Sequence, residues 1–188
     1  MSEEFQDRKA CRTWLQQLLA IGGDADDITQ GVLDGLVDSC EEETAPPSSS
    51  GFAVRIRRWV IRDEDLKLFA AIKDAIGPLA AAGFVLDSLP LAGIIAIVFA
   101  LVQLLRNAYR TGAVVSVPQM QILTVLEHTK RPQTVDEILA QLPQCKDTPW
   151  DHEGVLKELQ ALKEVFTKNG KVAFVDVKSD GRWFLSGV

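Results

Sequence analysis

Residues Ala75 to Leu105 read AIGPLAAAGFVLDSLPLAGIIAIVFALVQLL, a run that one charge, Asp87, interrupts. A bilayer span needs about 20 apolar residues, and the second half of this run approaches that length. Arginines stand on both sides: Arg55, Arg57, Arg58 and Arg62 before it, Arg106 and Arg110 after it. Basic residues stay on the cytoplasmic side of a membrane, so this distribution suits a hairpin that enters and leaves by one face. The candidate membrane-segment residues are Leu91, Ile94, Ile95, Ile97, Val98, Phe99, Leu101 and Val102, with Asp87 at the hairpin tip. The first arm is weaker as a span. Lys67, Lys73 and Asp74 leave only Ala75 to Leu86 without charge, too short to cross. The competing expectation is a soluble core, because the central helix of a globular domain can be apolar all round.

Working towards the N-terminus, the pattern FAVRIRRW from Phe52 alternates like a strand or extended lead-in, and a helix is expected to start after Arg62. Asp63, Glu64 and Asp65 complement the positive end of its dipole. Gly77-Pro78 should kink or end it, since proline lacks an amide donor. The stretch EEETAPPSSSG, residues 41–51, has the composition of a linker. Before it, residues 1–40 predict a pair of helices. One runs over residues 5–20 with Cys11, Trp14, Leu15, Leu18 and Leu19 on one face; the other is capped by Asp26 or Asp27 and turns Ile28, Val32, Leu33 and Leu36 inward.

The formal charge of −6 is concentrated in the first 44 residues, where eleven carboxylates face three basic side chains. That balance argues against a protein that coats nucleic acid by general attraction. Three cysteines, Cys11, Cys40 and Cys145, make no paired framework, and the polar start MSEEFQDRKACRTW offers no export signal. The carboxylates of Asp24, Asp26 and Asp27 read as helix caps instead of a cation loop. Cys145, His152 and His128 are too few and too scattered for structural zinc. No nucleophile, base and orienter recur together, so neither an enzyme nor a cofactor is expected.

The C-terminal part is the best specified. Val117-Pro118 opens a helix with Ile122, Val125 and Leu126 inward. Thr134-Val135-Asp136-Glu137 is a capping box for a short second helix through Ile138, Leu139 and Leu142. A third helix is expected from Thr148-Pro149, with Val155, Leu159 and Leu162 inward. Lys171 to Val177 and Arg182 to Leu185 then predict one hairpin about Ser179-Asp180-Gly181. The segments QILTVLEHTKRPQTVDEILAQL, GVLKELQALKEV and KVAFVDVKSDGRWFL together resemble the winged-helix superfamily, over residues 115–188. The resemblance implies a helix-turn-helix followed by a β-hairpin wing. It also implies recognition of DNA by the third helix or, in other members, of proteins.

Two departures weigh against DNA. The connection Pro143 to Thr148 is longer than a three- to four-residue turn, and the third helix carries Asp151, Glu153, Glu158 and Glu164 outward. Carboxylates repel a phosphate backbone. The candidate partner or nucleic-acid surface is Lys157, Gln160, Lys163, Lys171, Lys178 and Arg182.

The expected fold is mainly α: an N-terminal helical pair over residues 1–40, a central apolar helical hairpin over residues 52–112, and a C-terminal winged-helix-like α+β domain over residues 115–188. The expected function is that of a non-enzymatic, membrane-associated protein with cytoplasmic termini, whose winged-helix-like domain binds a protein partner or signal. In architecture it is similar to bacterial membrane effectors of stress or defence systems. The alternative is a cytoplasmic, DNA-binding transcriptional regulator whose apolar helices form a dimerisation core. In either case the apolar surface suits a homo-oligomer.

Overall fold

The computed structural model describes residues 2–23, 25–44, 56–81, 90–143 and 150–186. The chain is mainly helical, with seven helices and small antiparallel sheets among these residues.

The N-terminal half begins with β1 (Ser2–Phe5), α1 (Arg8–Leu18), α2 (Asp27–Ser39), β2 (Glu41–Thr44) and β3 (Ile56–Arg62). The strands form one antiparallel sheet in the order β1-β3-β2. Its logic is electrostatic and local: the acidic strands SEEF and EEET flank the basic strand IRRWVIR. Glu42 stands opposite Arg58 and Glu4 opposite Val60. Ion pairs join Arg57 to Glu41 at 3.1 Å, Arg58 to Glu4 at 3.4 Å and Arg62 to Glu42 at 3.3 Å. Exposed pairs of this kind contribute about 0–1 kcal/mol each, so they select the register while the backbone ladder holds the sheet.

This sheet changes two expectations. Residues 41–44 are a strand and not the start of a linker, because β3 supplies their backbone partner and its arginines pair with Glu41 and Glu42; residues 45–51 lie outside the described set. The first helix starts at Arg8 after β1, where the Asp7 carboxylate accepts from the Lys9 and Ala10 amides. Cys11, Leu15 and Leu19 are buried as expected, but Leu18, at the last turn, is exposed. Asp26 caps α2 by accepting from the Thr29 amide at 2.7 Å. Arg8 and Arg12 stitch α1 to α2 through Asp34 and Asp38, at 2.8 to 3.3 Å.

Two long helices follow, α3 (Asp63–Ala81) and α4 (Leu91–Arg110). Asp65 in the first turn of α3 pairs with Arg106 and Arg110 near the end of α4, so the two helices run antiparallel. Helix α3 continues through Pro78, so the proline does not end it. The carbonyl that Pro78 deprives of an amide partner belongs to Asp74, an exposed residue, so the lost bond falls on the solvent side of the helix. The tip residue Asp87 lies outside the described residues.

Helix α4 is long and apolar enough to cross a membrane, and it is the one described helix that meets that test. Here it packs on α2, α3 and the helix that follows it. Two glycines of α2 allow the closest approach. A Cβ at Gly35 would lie 2.7 Å from Val98 Cβ and 3.1 Å from the Ile95 carbonyl oxygen, and one at Gly31 would lie 2.9 Å from Leu91 Cδ1.

The C-terminal half comprises α5 (Val117–Thr129), α6 (Val135–Leu139), α7 (His152–Lys163), β4 (Val165–Thr167), β5 (Gly170–Val172), β6 (Val175–Val177) and β7 (Trp183–Leu185). Both α5 and α6 open with complete capping boxes, Ser116 with Gln119 and Thr134 with Glu137. Helix α7 is capped by Asp151 and begins at His152, later than Thr148-Pro149, which lies outside the described residues. The expected single hairpin is two, β4-β5 and β6-β7. The overlooked signal is the turn Lys168-Asn169 closed by Gly170, which stands opposite Thr167 and takes φ +122°. Trp183 of β7 exchanges both backbone hydrogen bonds with Gln133, at 2.7 and 2.8 Å, and so ties the second hairpin to the segment between α5 and α6.

Every residue from Met120 to Leu126 is buried, so α5 is covered on all sides and not along one stripe. It packs on α3 and α4 as well as on α6, α7 and β7. One continuous hydrophobic core therefore runs through both halves.

Candidate functional site

The six polar residues expected to form a partner surface all lie exposed on the C-terminal half. Lys157, Gln160 and Lys163 project from α7, Lys171 from β5, and Lys178 and Arg182 flank the turn between β6 and β7. Three of the five cations are already matched by carboxylates. Lys163 meets Asp176 at 3.0 Å, Lys171 meets Glu164 at 2.6 Å, and Arg182 meets Asp180 at 3.7 Å. The hydrogen bond from Lys171 holds the Glu164 carboxyl below its ordinary range. The Val177 amide does the same for Asp176, with Lys163 adding to it. Lys171 also sits 5.1 Å over the ring of Phe166, which is 69% exposed. Lys157 and Lys178 carry no ion pair among the described residues. The turn at Ser179-Asp180-Gly181 places a carboxylate at the hairpin tip, where Asp180 accepts from the Arg182 amide at 3.2 Å.

The expected membrane-segment residues divide into two sets. Ile94, Ile97, Val98, Leu101 and Val102 are buried within the protein, Ile95 is half-buried, and Leu91 and Phe99 are exposed. The outward stripe of α4 is apolar over its first half, through Leu91, Ala92, Ala96 and Phe99. It is polar over its second half, through Gln103 and Asn107.

The arrangement that sequence reasoning missed is an ion cluster inside the N-terminal bundle. Asp65, at 1% exposure, accepts from Arg106 Nε at 3.1 Å, from Arg110 Nη2 at 3.4 Å and from the Arg62 amide at 3.2 Å. Arg106 Nη1 donates to the Ser39 carbonyl at 2.8 Å and so reaches the end of α2. Arg106 and Arg110 read as juxtamembrane cations in the sequence, yet both turn inward to one carboxylate. A signal was present: Asp65 lies on the same helical face as Leu68, Phe69 and Ile72, at spacings of three, four and seven.

Nearby, the thiols of Cys11 and Cys40 are fully buried, and burial pushes both up to about 12. No three His, Cys, Asp or Glu side chains converge to hold a metal among the described residues. His152 Nδ1 lies 2.8 Å from Asp136 at the surface, while Cys145 lies outside the described set.

A cleft of about 310 Å³ opens between the first turns of α3 and the connection from α4 to α5. It is lined by Asp63, Glu64, Lys67 and Ala71 on one side, and by Tyr109 and residues 112–115 on the other. Comparison with family models, curated proteins and solved structures finds no match to this chain.

Proposed function

We propose that this chain is a non-enzymatic interaction protein whose C-terminal half, winged-helix-like in its order of helices and hairpins, binds a protein partner through α7 and the β6-β7 turn. One observation carries the choice of partner: Lys163, Lys171 and Arg182 are neutralised by Asp176, Glu164 and Asp180. A phosphate-tracking surface needs uncompensated cations, because affinity comes from releasing the counterions that phosphates hold. Lys157 and Gln160 remain as an exposed polar pair one turn apart, suited to hydrogen bonds with a protein surface.

The test has two arms. Fluorescence anisotropy against random and genomic DNA pools at physiological salt should give no better than the non-specific range, ~10⁻⁴ to 10⁻⁶ M. A photo-crosslinking residue at Gln160 should capture a discrete protein in the expressing cell, and Lys157→Glu should reduce that capture. Sequence-selective DNA binding in the nanomolar range, lost in Lys157→Glu, would instead establish the DNA-binding regulator.

A second reading, membrane association with cytoplasmic termini, is supported by the apolar outward edge of α4 at Leu91, Ala92, Ala96 and Phe99. Attachment by this edge is compatible with the bundle. A full crossing would pull α4 from Gly31 and Gly35 and separate Arg106 from Asp65. Flotation with phosphatidylcholine–phosphatidylglycerol vesicles tests it. The wild type should float and Phe99→Arg should not; a wild type that stays wholly in the dense fraction refutes the attachment.

A further inference from the structure

We propose that Asp65 is the latch of a releasable helix: its ion cluster with Arg106 and Arg110 keeps α4 in the bundle, and breaking that cluster frees α4 to enter a lipid bilayer. This rests on the membrane reading above and adds what governs it. Attachment by the outer edge of α4 leaves the bundle closed, whereas entry requires it to open.

The contacts that hold α4 differ along its length. From Leu91 to Leu105 it carries no charged side chain, and its buried members there, Ile94, Ile97, Val98, Leu101, Val102 and Leu105, are all apolar. Its leading end has no side-chain cap, since Pro90 stands at that position. Lipid tails can replace contacts of this kind, because a protein core and a bilayer both remove the same side chains from water. At 20 residues the helix is about 30 Å long, which matches the hydrocarbon layer. The charged ties lie at the other end. Arg106 reaches the Asp65 carboxylate at 3.1 Å and the Ser39 carbonyl at 2.8 Å, and Arg110 reaches Asp65 at 3.4 Å. Asp65 also accepts from the Arg62 amide at 3.2 Å. One carboxylate therefore joins the end of α4 to the start of α3 and the end of β3, and Arg106 adds the end of α2.

These ties act on the closed form alone. Asp65 is 1% exposed, and a buried ion pair that loses one partner leaves the other charge uncompensated. Arg106 Nη2 and Arg110 Nε are buried without an acceptor among the described residues, so the cluster leaves part of each guanidinium unsatisfied even when it is intact. Released from Asp65, the same guanidiniums meet phosphate oxygens of the lipid headgroups, which accept paired N–H bonds. Arginines that follow an apolar helix settle at that level of a membrane. Loss of the Asp65 charge thus penalises the bundle and spares the inserted helix.

Flotation with phosphatidylcholine–phosphatidylglycerol vesicles, followed by alkaline carbonate extraction, separates the two forms of binding, because a protein attached by one edge is extracted and an inserted helix is not. The wild type should float and be mostly extracted. Asp65→Asn should raise the carbonate-resistant fraction at least about tenfold, since it removes the only carboxylate shown to hold Arg106 and Arg110. Asp65→Glu should stay close to the wild type. Leu159→Ala, a cavity in the core of the C-terminal half, should not raise the resistant fraction, which sets release of the latch apart from general loss of stability. A lock supplies the second control. A Cβ at Gly31 would lie 3.3 Å from Ile94 Cβ, just short of the spacing of about 3.5–4.5 Å that a disulfide bridges. Gly31→Cys with Ile94→Cys, oxidised in the Asp65→Asn chain, should abolish carbonate resistance, and dithiothreitol should restore it. Asp65→Asn no more resistant than the wild type, Leu159→Ala equally resistant, or resistance that survives the closed lock would overturn the latch. So would a cysteine pair that does not close. If neither the wild type nor Asp65→Asn floats, the membrane reading falls with it; if both float and both are extracted, the latch alone is refuted.

Discussion

Replacing Gly35 by alanine should destabilise the protein, although alanine is the better helix former. In an exposed helix interior the change gains about 0.8–1.0 kcal/mol from propensity. At Gly35 the new methyl would stand 2.7 Å from Val98 Cβ, 2.9 Å from Val98 Cγ1 and 3.1 Å from the Ile95 carbonyl oxygen. Two of these three atoms cannot move by changing a rotamer, so α2 and α4 must separate. Overpacking of this kind costs about 1–3 kcal/mol, and fixed neighbours place this case in the upper part of that range. The net loss is then about 1–2 kcal/mol, or a fall in Tm of roughly 2–8 °C for a chain of this size.

Gly31→Ala supplies the internal control, one turn away on the same helix. Its nearest neighbour is Leu91 Cδ1 at 2.9 Å, the far end of a side chain that is 44% exposed and able to swing aside. The remaining contacts, to Ile94 at 3.1 and 3.3 Å, ask for a few tenths of an ångström. The clash and the propensity gain should nearly cancel, within roughly 0.5–1 kcal/mol of the wild type. Urea unfolding followed by tryptophan fluorescence and circular dichroism measures both variants. A Gly35→Ala protein as stable as Gly31→Ala, or more stable than the wild type, would show that α4 does not rest on α2. It would also reopen the possibility that α4 leaves the bundle for a bilayer.

Asp65→Asn should cost about 3–5 kcal/mol in urea unfolding, because it leaves Arg106 and Arg110 facing an amide in a buried site; a loss below about 1 kcal/mol would mean that the cluster is hydrated in solution. Stability should also fall on the alkaline side. Cys11 and Cys40 hold their protons up to about 12 when folded against 9.0 ordinarily, so between those values the folded chain binds more protons than the unfolded one. Their contribution is whole below pH 9.0 and lost as pH rises towards about 12. Burial raises Tyr109 in the same sense. Urea midpoints that do not fall between pH 8 and 10.5 would contradict this burial. The double variant Cys11→Ala, Cys40→Ala should flatten the slope.

Signals that act within one turn of chain were the legible ones. Asp26 before Ile28, Pro118 after Val117 and Thr134 with Glu137 each mark a helix start, and such signals need only neighbours within three residues. The Lys168-Asn169 turn closed by Gly170 was equally local, and the hairpin it makes could have been read. By contrast, EEET has no strand-forming character of its own. It pairs because IRRWVIR returns beside it, and a strand's partner is not encoded in the strand. The candidate surface divides in the same way. Exposure of Lys157 and Gln160 followed from helical period, whereas neutralisation of Lys163 by Asp176 required the hairpin to fold back across α7.

The sequence by itself determined that this is a mainly helical chain, where most of its helices start, and that the stretch from about Leu91 to Tyr109 is one long apolar helix. It could not determine what covers that helix. Transfer from water into lipid and transfer into a protein core reward the same side chains, so hydropathy is blind to the difference. Only the tertiary structure set Gly31 and Gly35 against α4 and turned Arg106 and Arg110 towards Asp65, contacts between residues more than forty positions apart.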